Sequence, residues 1–348
     1  MAIRVPRITL ADKVSAMRDP LCYPDPTRSV QAIETHMSWV FLTDGRAYKF
    51  KKPMHSARQD CRTLHARRIN CEEELRLNRR LAASVYEDVV PLVRGRNRAM
   101  RIGGSGRPVE WLVRMQRLPA ETMLDVRLRR GDITPDHMAA IACRMAEFHR
   151  AQPPAPLDRD AYRGLLLRRI AECERELCAP EWHLPAVRIL RLCMQLRTLL
   201  QACSEWLDRR IADARVVEGH GDLRPEHISM GEPMAIIDCL EFSRELRLLD
   251  GIDEIGFLAL ECERIHAAPL AAHLLQAYRT GASDTAPEAL LHFYQALRAC
   301  ERASLSIRHL RTPRYRTSAR WRRHTLRYLA LAARHLQAGT SMPVPEAR

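Results

Sequence analysis

Hydrophobic and polar positions alternate over much of the first third of the chain, then recur at helical spacing over most of the rest. SWVFLT, the pair Asp44-Gly45 and RAYKFKK predict a β-hairpin within 29–53, because Asp-Gly accepts the positive backbone angles of a tight turn. Pro53 lacks a backbone donor and ends the second strand. Leu64, Ile69, Leu75, Leu77 and Leu81 predict a helix over about 57–84. VVPLV at 89–93 and VEWLVRMQRL at 109–118 predict further strands, with a glycine-rich turn at Gly103, Gly104 and Gly106 between them. Beyond Pro119, Thr134-Pro135 opens a helix that runs to about His149. Further helices are predicted at about 159–178, 185–212, 251–279, 286–308 and 317–337, interrupted by a β-like stretch at 215–242. The pattern is α+β: an N-terminal extension at 1–28, a β-rich part at 29–118, a mainly helical part at 119–340, and a tail at 341–348 that reads as disordered.

Composition narrows the class. The 348 residues are 46% hydrophobic and 28% charged, enough to bury a sizeable core. No apolar run approaches the roughly 20 residues that span a bilayer, and the N-terminus is charged throughout, so a cytoplasmic protein is expected. Eleven scattered cysteines without a CxxC pair argue against a zinc site or a disulfide framework. The net charge of +14 favours anionic partners, unless most arginines simply sit on solvated helix faces. The basic stretch 311–336 with its interleaved aromatics admits nucleic-acid or membrane-surface contact as one alternative. The other is a solvated helix that packs its Leu/Ala face.

Of the 56 lysines and arginines, four are lysines: Lys13, Lys49, Lys51 and Lys52. Three of them fall within four consecutive positions, which points to a local need for a compact charge on a flexible stem in place of a planar fork. Lys49 and Lys51 share a strand face. Lys49 fits the A-x-K frame of the kinase strand, and Lys51-Lys52-Pro53 offers the alternative frame. The following helix supplies Glu72, Glu73 and Glu74 as partners, with Glu74 favoured and Glu73 close behind.

The stretch VVEGHGDLRPEHISMGEPMAIIDCLEF, 216–242, sets His220 two residues before Asp222 and Asp222 five residues ahead of His227, and a second apolar strand ends at Asp238. The spacing follows the kinase catalytic loop H-R-D-x-x-x-x-N and its strand-end metal-binding Asp. In that chemistry one carboxylate takes the attacking hydroxyl's proton, another holds Mg²⁺, and a lysine neutralises phosphates. His220 reads as an orienter of the loop and His149 as a helix-face packing residue.

Together HGDLRPEH, IIDCLEF, ETHMSWVFLTDGRAYKFKKP and CEEELRLNRRL resemble the aminoglycoside phosphotransferase-like family of the protein-kinase-like fold. Within it they are close to the module that some bacterial proteins fuse to a P-loop kinase domain. The resemblance implies a two-lobed fold and ATP and Mg²⁺ as cofactors. It implies Asp222 as catalytic residue, Lys49 and Glu74 as the nucleotide-binding pair, and Asp238 and His227 at the metal. Ser38 would touch phosphates, the backbone of Gln116 and Leu118 would meet adenine, and Asp250 and Asp253 would support the catalytic loop. The chain departs from the family pattern at His227, which stands where Asn is expected, and at DCLE in place of D-F-G, where Glu241 adds a candidate metal contact. No GxxxxGK[ST] occurs. The expected function is ATP-dependent phosphoryl transfer to an unknown small-molecule hydroxyl acceptor. An aminoglycoside is not expected, since a strongly basic chain repels polycations. The alternative is a weak or inactive nucleotide-binding regulatory or scaffold protein.

Overall fold

The computed structural model describes residues 8–56, 59–95 and 99–342. They form two compact units: the chain up to residue 127 together with 226–246, and residues 128–225 together with 247 onward.

The first unit is built on a six-stranded antiparallel sheet. Its strands are β1 (Gln31–Glu34), β2 (Ser38–Leu42), β3 (Arg46–Lys51), β6 (Tyr86–Arg94), β7 (Met100–Ile102) and β8 (Arg107–Gln116), in the order β1-β2-β3-β8-β6-β7. A two-residue hairpin, β4 (His55–Ser56) and β5 (Gln59–Asp60), follows β3. The β2–β3 register pairs Ser38 with Lys51, Val40 with Lys49 and Leu42 with Ala47. Side chains alternate along a strand, so Tyr48 and Phe50 enter one face and Ala47, Lys49 and Lys51 the other.

The first of these faces is closed by α1 (Leu10–Met17) and the turn after it: Met17, Cys22 and Tyr23 pack with Phe41, Tyr48, Phe50 and Leu112. Part of the stretch read as an N-terminal extension is therefore core, and buried Lys13 on α1 pairs with Glu110 of β8 at 2.8 Å. The opposite face is covered by α2 (Leu64–Ala82), whose Cys71 and Ala82 pack with Ala47, Tyr86, Val113 and Met115. Thr63 caps α2, its hydroxyl accepting from Ala66 N at 3.1 Å, so the helix begins later than the expected start. Residues 57 and 58 lie outside the described residues. The segment 226–246 adds a short hairpin, Ile228–Ser229 against Ala235–Ile236.

The second unit is helical. α3 (Leu124–Arg130) straddles the division, and α4 (Pro135–Ala151), α5 (Arg159–Leu177), α6 (Ala186–Ala202) and α7 (Ser204–Ala212) follow. α8 (Gly251–Arg264), α9 (Ala268–Ala282), α10 (Glu288–Arg308) and α11 (Ala319–Ser341) complete it. The expected helix 185–212 is two helices meeting at Cys203, and 251–279 breaks at 265–267, where His266 takes φ +69°. The apolar rhythm runs through both breaks, so periodicity alone does not show them; Pro269 in the first turn of α9 does. α10 is the central helix, burying Leu290, Phe293, Tyr294, Leu297, Cys300 and Ile307. The apolar stripe of α11, with Tyr328, Leu329, Ala332 and Leu336, is buried as well. Within the basic stretch, the Trp321 ring stacks on His309 at 3.7 Å. The short strands Val216–Glu218 and Leu248–Asp250 pair antiparallel and hold the two ends of the HGD segment's surroundings in place. The tail beyond residue 342 lies outside the described residues.

Candidate functional site

In the first unit, buried charge collects on the α2 face of the sheet. Glu74, fully buried on α2, meets Lys49 Nζ at 2.8 Å and Lys51 Nζ at 2.5 Å. Lys49 also meets Asp238 Oδ1 at 2.7 Å. Lys51, almost wholly buried, also pairs with Glu241. Both frames read from the sequence thus converge on one glutamate. Glu73 points elsewhere and pairs with Arg76 on the helix surface at 2.7 Å. Glu241, a candidate metal contact in the sequence, is engaged by Lys51. Lys52 pairs with Glu34 at 2.6 Å. Ser38, buried, stands opposite Lys51 on the same sheet face, with its backbone N–H donating to Thr35 Oγ1 at 2.9 Å.

Burial opposes the charge on Lys49, but Asp238 and Glu74 outweigh it and hold the ammonium well above its ordinary value. Partial burial disfavours the Asp238 carboxylate, yet Lys49 and then His227 hold its pKa well below the carboxylate range. Asp238 adopts φ +61°, and its N–H donates to the Tyr86 hydroxyl at 3.1 Å. The next residue, Cys239, donates its N–H to Asn78 Oδ1 at 2.8 Å. α2 thus supplies Glu74 and, one turn later, Asn78, and both fix the chain around Asp238. Asn78 went unread in the sequence, although a buried Asn four residues from a buried Glu on one helix face is a legible sign.

His227 lies with its Nε2 3.4 Å from Asp238 Oδ2. The Asp238 side chain is 42% exposed, so this carboxylate reaches solvent while Glu74 and Glu241 do not. Among the described residues no cluster of three or more His, Cys, Asp or Glu side chains forms a metal cage. Mg²⁺ is commonly held by one or two carboxylates, with waters and substrate phosphates completing its shell. Asp238 is a fitting hard donor; the His227 imidazole is a softer one. Gln116 ends β8, and its N–H donates to Val85 O at 2.8 Å, while Arg117 N–H donates to Gly45 O at 3.0 Å. Leu118 follows two residues beyond Gln116 on the connection to α3. An open cavity of about 750 Å³, lined by Pro20, Leu21, the stretch from Tyr23 to Arg28 and Asp44, includes none of these residues.

The HGD segment belongs to the second unit. Gly221 has φ +88°, a conformation that L side chains rarely adopt. Its N–H donates to Glu254 Oε1 at 2.6 Å and the His220 N–H donates to Glu254 Oε2 at 2.9 Å. Glu254, on α8, also meets His149 Nε2 at 2.9 Å, and His149 Nδ1 meets the Tyr278 hydroxyl at 2.8 Å. His149, expected to be a packing residue, is a polar strut beneath the loop. Burial pushes Glu254 up, but the hydrogen bond and charge of His149, then His220, pull it down to about 2.

Asp253 binds Arg298 at 2.7 Å and Arg169 at 3.2 Å, and Arg298 Nη1 reaches Gly221 O at 3.4 Å. Asp250 binds Arg210 at 2.5 Å, which also meets Asp284 at 2.6 Å. Asp253 therefore meets the loop through Arg298, and Asp250 fixes α8 to α7. Glu254, next to Asp253, is the direct anchor that sequence reasoning passed over; a third acid within a wholly apolar helical turn was its signal. Asp222 itself is partly exposed, with Arg224 Nε at 3.1 Å and Arg302 Nη1 at 4.0 Å.

The chain is similar in structure to a choline/ethanolamine kinase family protein from Mesorhizobium loti, with a TM-score of 0.59 and 17% identity, covering 96% of this chain and 100% of that one. A choline kinase from Cryptosporidium parvum gives 0.57 at 10% identity, covering 90% of each chain. The chain has the kinase-like fold of these choline kinase structures. In sequence, uncharacterized proteins of Mycobacterium tuberculosis and Mycobacterium bovis are 32% identical over 333 residues, 94% of this chain. The chain spans 64% of the length of those relatives. No family model matches it.

Proposed function

We propose that the chain is an ATP-dependent phosphotransferase acting on a small-molecule hydroxyl. The observation that carries this reading is Lys49, held between Glu74 at 2.8 Å and Asp238 at 2.7 Å on a strand face of a kinase-like fold. In this reading Lys49, oriented by Glu74, neutralises nucleotide phosphates, and Ser38 lies at their edge. Gln116 offers its carbonyl and Leu118 its peptide N–H to adenine, the Gln116 N–H being engaged by Val85. Asp238 holds Mg²⁺, with His227 beside it; the ion, when bound, neutralises charge on the phosphates. Asp222 takes the acceptor hydroxyl's proton. The acceptor oxygen forms a bond to the γ-phosphorus, the bond from that phosphorus to the β-bridging oxygen breaks, and ADP leaves with the electron pair. A cytoplasmic location accompanies this reading. Among the described residues no helix is long and apolar enough to cross a membrane.

A second reading, a nucleotide-binding regulatory protein without transfer, is favoured by His227 at a position where a hard oxygen donor is expected. The test is thermal unfolding with and without Mg·ATP, beside Lys49→Ala and Asp238→Ala. Nucleotide at about 100 times its Kd is expected to stabilise the wild type by about 2.7 kcal/mol and neither variant comparably. Asp222→Asn is expected to keep that stabilisation and lose transfer. No shift with the wild type under any divalent metal overturns nucleotide binding, and transfer surviving in Asp222→Asn overturns its assigned role.

A further inference from the structure

The surroundings of Asp222 are basic. Arg224 lies against its carboxylate at 3.1 Å and Arg302, from α10, approaches to 4.0 Å. Arg302 Nε makes no hydrogen bond; it lies 3.7 Å from Glu261 Oε1, whose carboxylate already accepts from Tyr328 at 2.8 Å and Arg264 at 2.7 Å. The guanidiniums of Arg264 and Arg302 both stand over the Tyr328 ring, at 5.8 and 5.9 Å.

The positive field continues along α11. Burial first, then Arg320, Arg264, Arg327 and Arg302, push the half-buried His324 towards its neutral form. From Arg302 to Pro345 the sequence contains no Asp or Glu. Acids elsewhere engage some arginines of this stretch: Arg308 and Arg311 meet Glu176, and Arg334 meets Glu263. Among the described residues, Arg320, Arg323 and Arg327 are exposed and meet no carboxylate. The apolar stripe of α11 is buried within its own unit, and the outer side of the helix presents mainly charge, with Leu326 exposed among the arginines.

Resting on the phosphotransferase reading, we infer that the acceptor is an anion: a hydroxyl compound whose phosphate or carboxylate group is held by Arg302 and the α11 arginines while its hydroxyl meets Asp222. Choline and ethanolamine, in the names of the solved relatives, are cations, which a site of this sign repels. Guanidinium is the side chain best shaped for bidentate capture of phosphate or carboxylate. Arg302 acts as a binding residue: its Nη1, 4.0 Å from Asp222, makes it the link between the anion and the reacting hydroxyl, while its buried Nε faces Glu261.

The experiment is thermal unfolding of the full chain, without nucleotide and with saturating Mg·ATP analogue. Glucose 6-phosphate, glycerol 3-phosphate and glycerate form the anionic arm; choline and kanamycin form the cationic arm. The anionic compounds are expected to raise Tm and the cationic ones to leave it unchanged. Arg320→Glu/Arg327→Glu, on exposed positions, is expected to weaken the anion response by about tenfold or more in apparent Kd. Arg302→Met is expected to weaken it further; the double variant keeps the test decisive if Arg302→Met fails to fold. A cationic response as large as the anionic one overturns the inference. So does an anionic response unchanged in the double variant, or its absence from the wild type. A missing Mg·ATP shift removes the phosphotransferase reading, whereas a nucleotide shift with no anion response removes this inference alone.

Discussion

Lys49 and Lys51 stand two positions apart and share Glu74, but their other partners differ. Lys49 faces Asp238, whose side chain reaches solvent, while Lys51 faces buried Glu241. In the proposed reading the first meets the nucleotide, while the second holds buried charge together within the unit. Lys51→Met leaves Glu241 buried without its cation and is expected to cost about 3–5 kcal/mol of stability, read as a lower denaturation midpoint in urea. Lys49→Arg keeps the charge on a wider, planar group. It is expected to retain folding and lose the Mg·ATP stabilisation, because a fork does not replace a point charge between two carboxylates. The alternation of the strand placed both lysines on one face from sequence alone. Choosing Glu74 over Glu73 was beyond it, because neighbouring helix positions diverge by about 100° and the docking of α2 decides which one turns inward.

The HGD segment owes its shape to α8. Two of its backbone N–H groups donate to the Glu254 carboxylate, which His149 braces from α4. A Cβ at Gly219 would come 2.6 Å from Glu254 Oε2 and 2.9 Å from Leu249 Cδ1, so the buried Glu254 carboxylate and the Leu249 side chain would have to shift. Gly219→Ala is therefore expected to destabilise by about 1–3 kcal/mol and to reduce any transfer by displacing Asp222, checked by chemical denaturation beside an activity assay. The pH response follows from the same carboxylate. Its folded pKa of about 2 lies below the ordinary 4.5, so the unfolded chain binds the proton first. The stabilisation, roughly 3 kcal/mol, is present above about pH 4.5 and lost as pH falls towards 2. Acid titration of stability is expected to show this loss in the wild type and a smaller one in Glu254→Gln, which is less stable at neutral pH.

Over the whole molecule, a net charge of +14 coexists with a set of buried ion pairs, among them Lys51–Glu74, Arg210–Asp250 and Arg298–Asp253, beside many exposed ones. Buried pairs are weakly screened and exposed arginines strongly so. Raising KCl from about 50 to about 200 mM is expected to weaken Mg·ATP and anion binding while leaving Tm of the free protein nearly unchanged. A parallel fall in Tm would place the stabilising charges on the surface instead. The Leu/Ala face of the basic stretch 311–336 is core, and exposed arginines, Arg320, Arg323 and Arg327 among them, line its outer side.

What the sequence determined by itself was whatever depends on local chemistry and period. The hairpin at Asp44-Gly45, the paired lysines on one face, the strand-then-helix order and the spacing of His220, Asp222, His227 and Asp238 were all legible in it, since each is set by residues near in the chain. The tertiary structure decided the partners. It brought α1 into the core, gave Glu74 to both lysines, put Glu241 on Lys51, and ran Glu254, His149 and Tyr278 beneath the HGD segment. It also placed Arg302, 80 residues beyond Asp222, beside that carboxylate. Such pairings join distant segments through the orientation of whole helices, and a buried charge must find its counter-charge wherever the packing puts it.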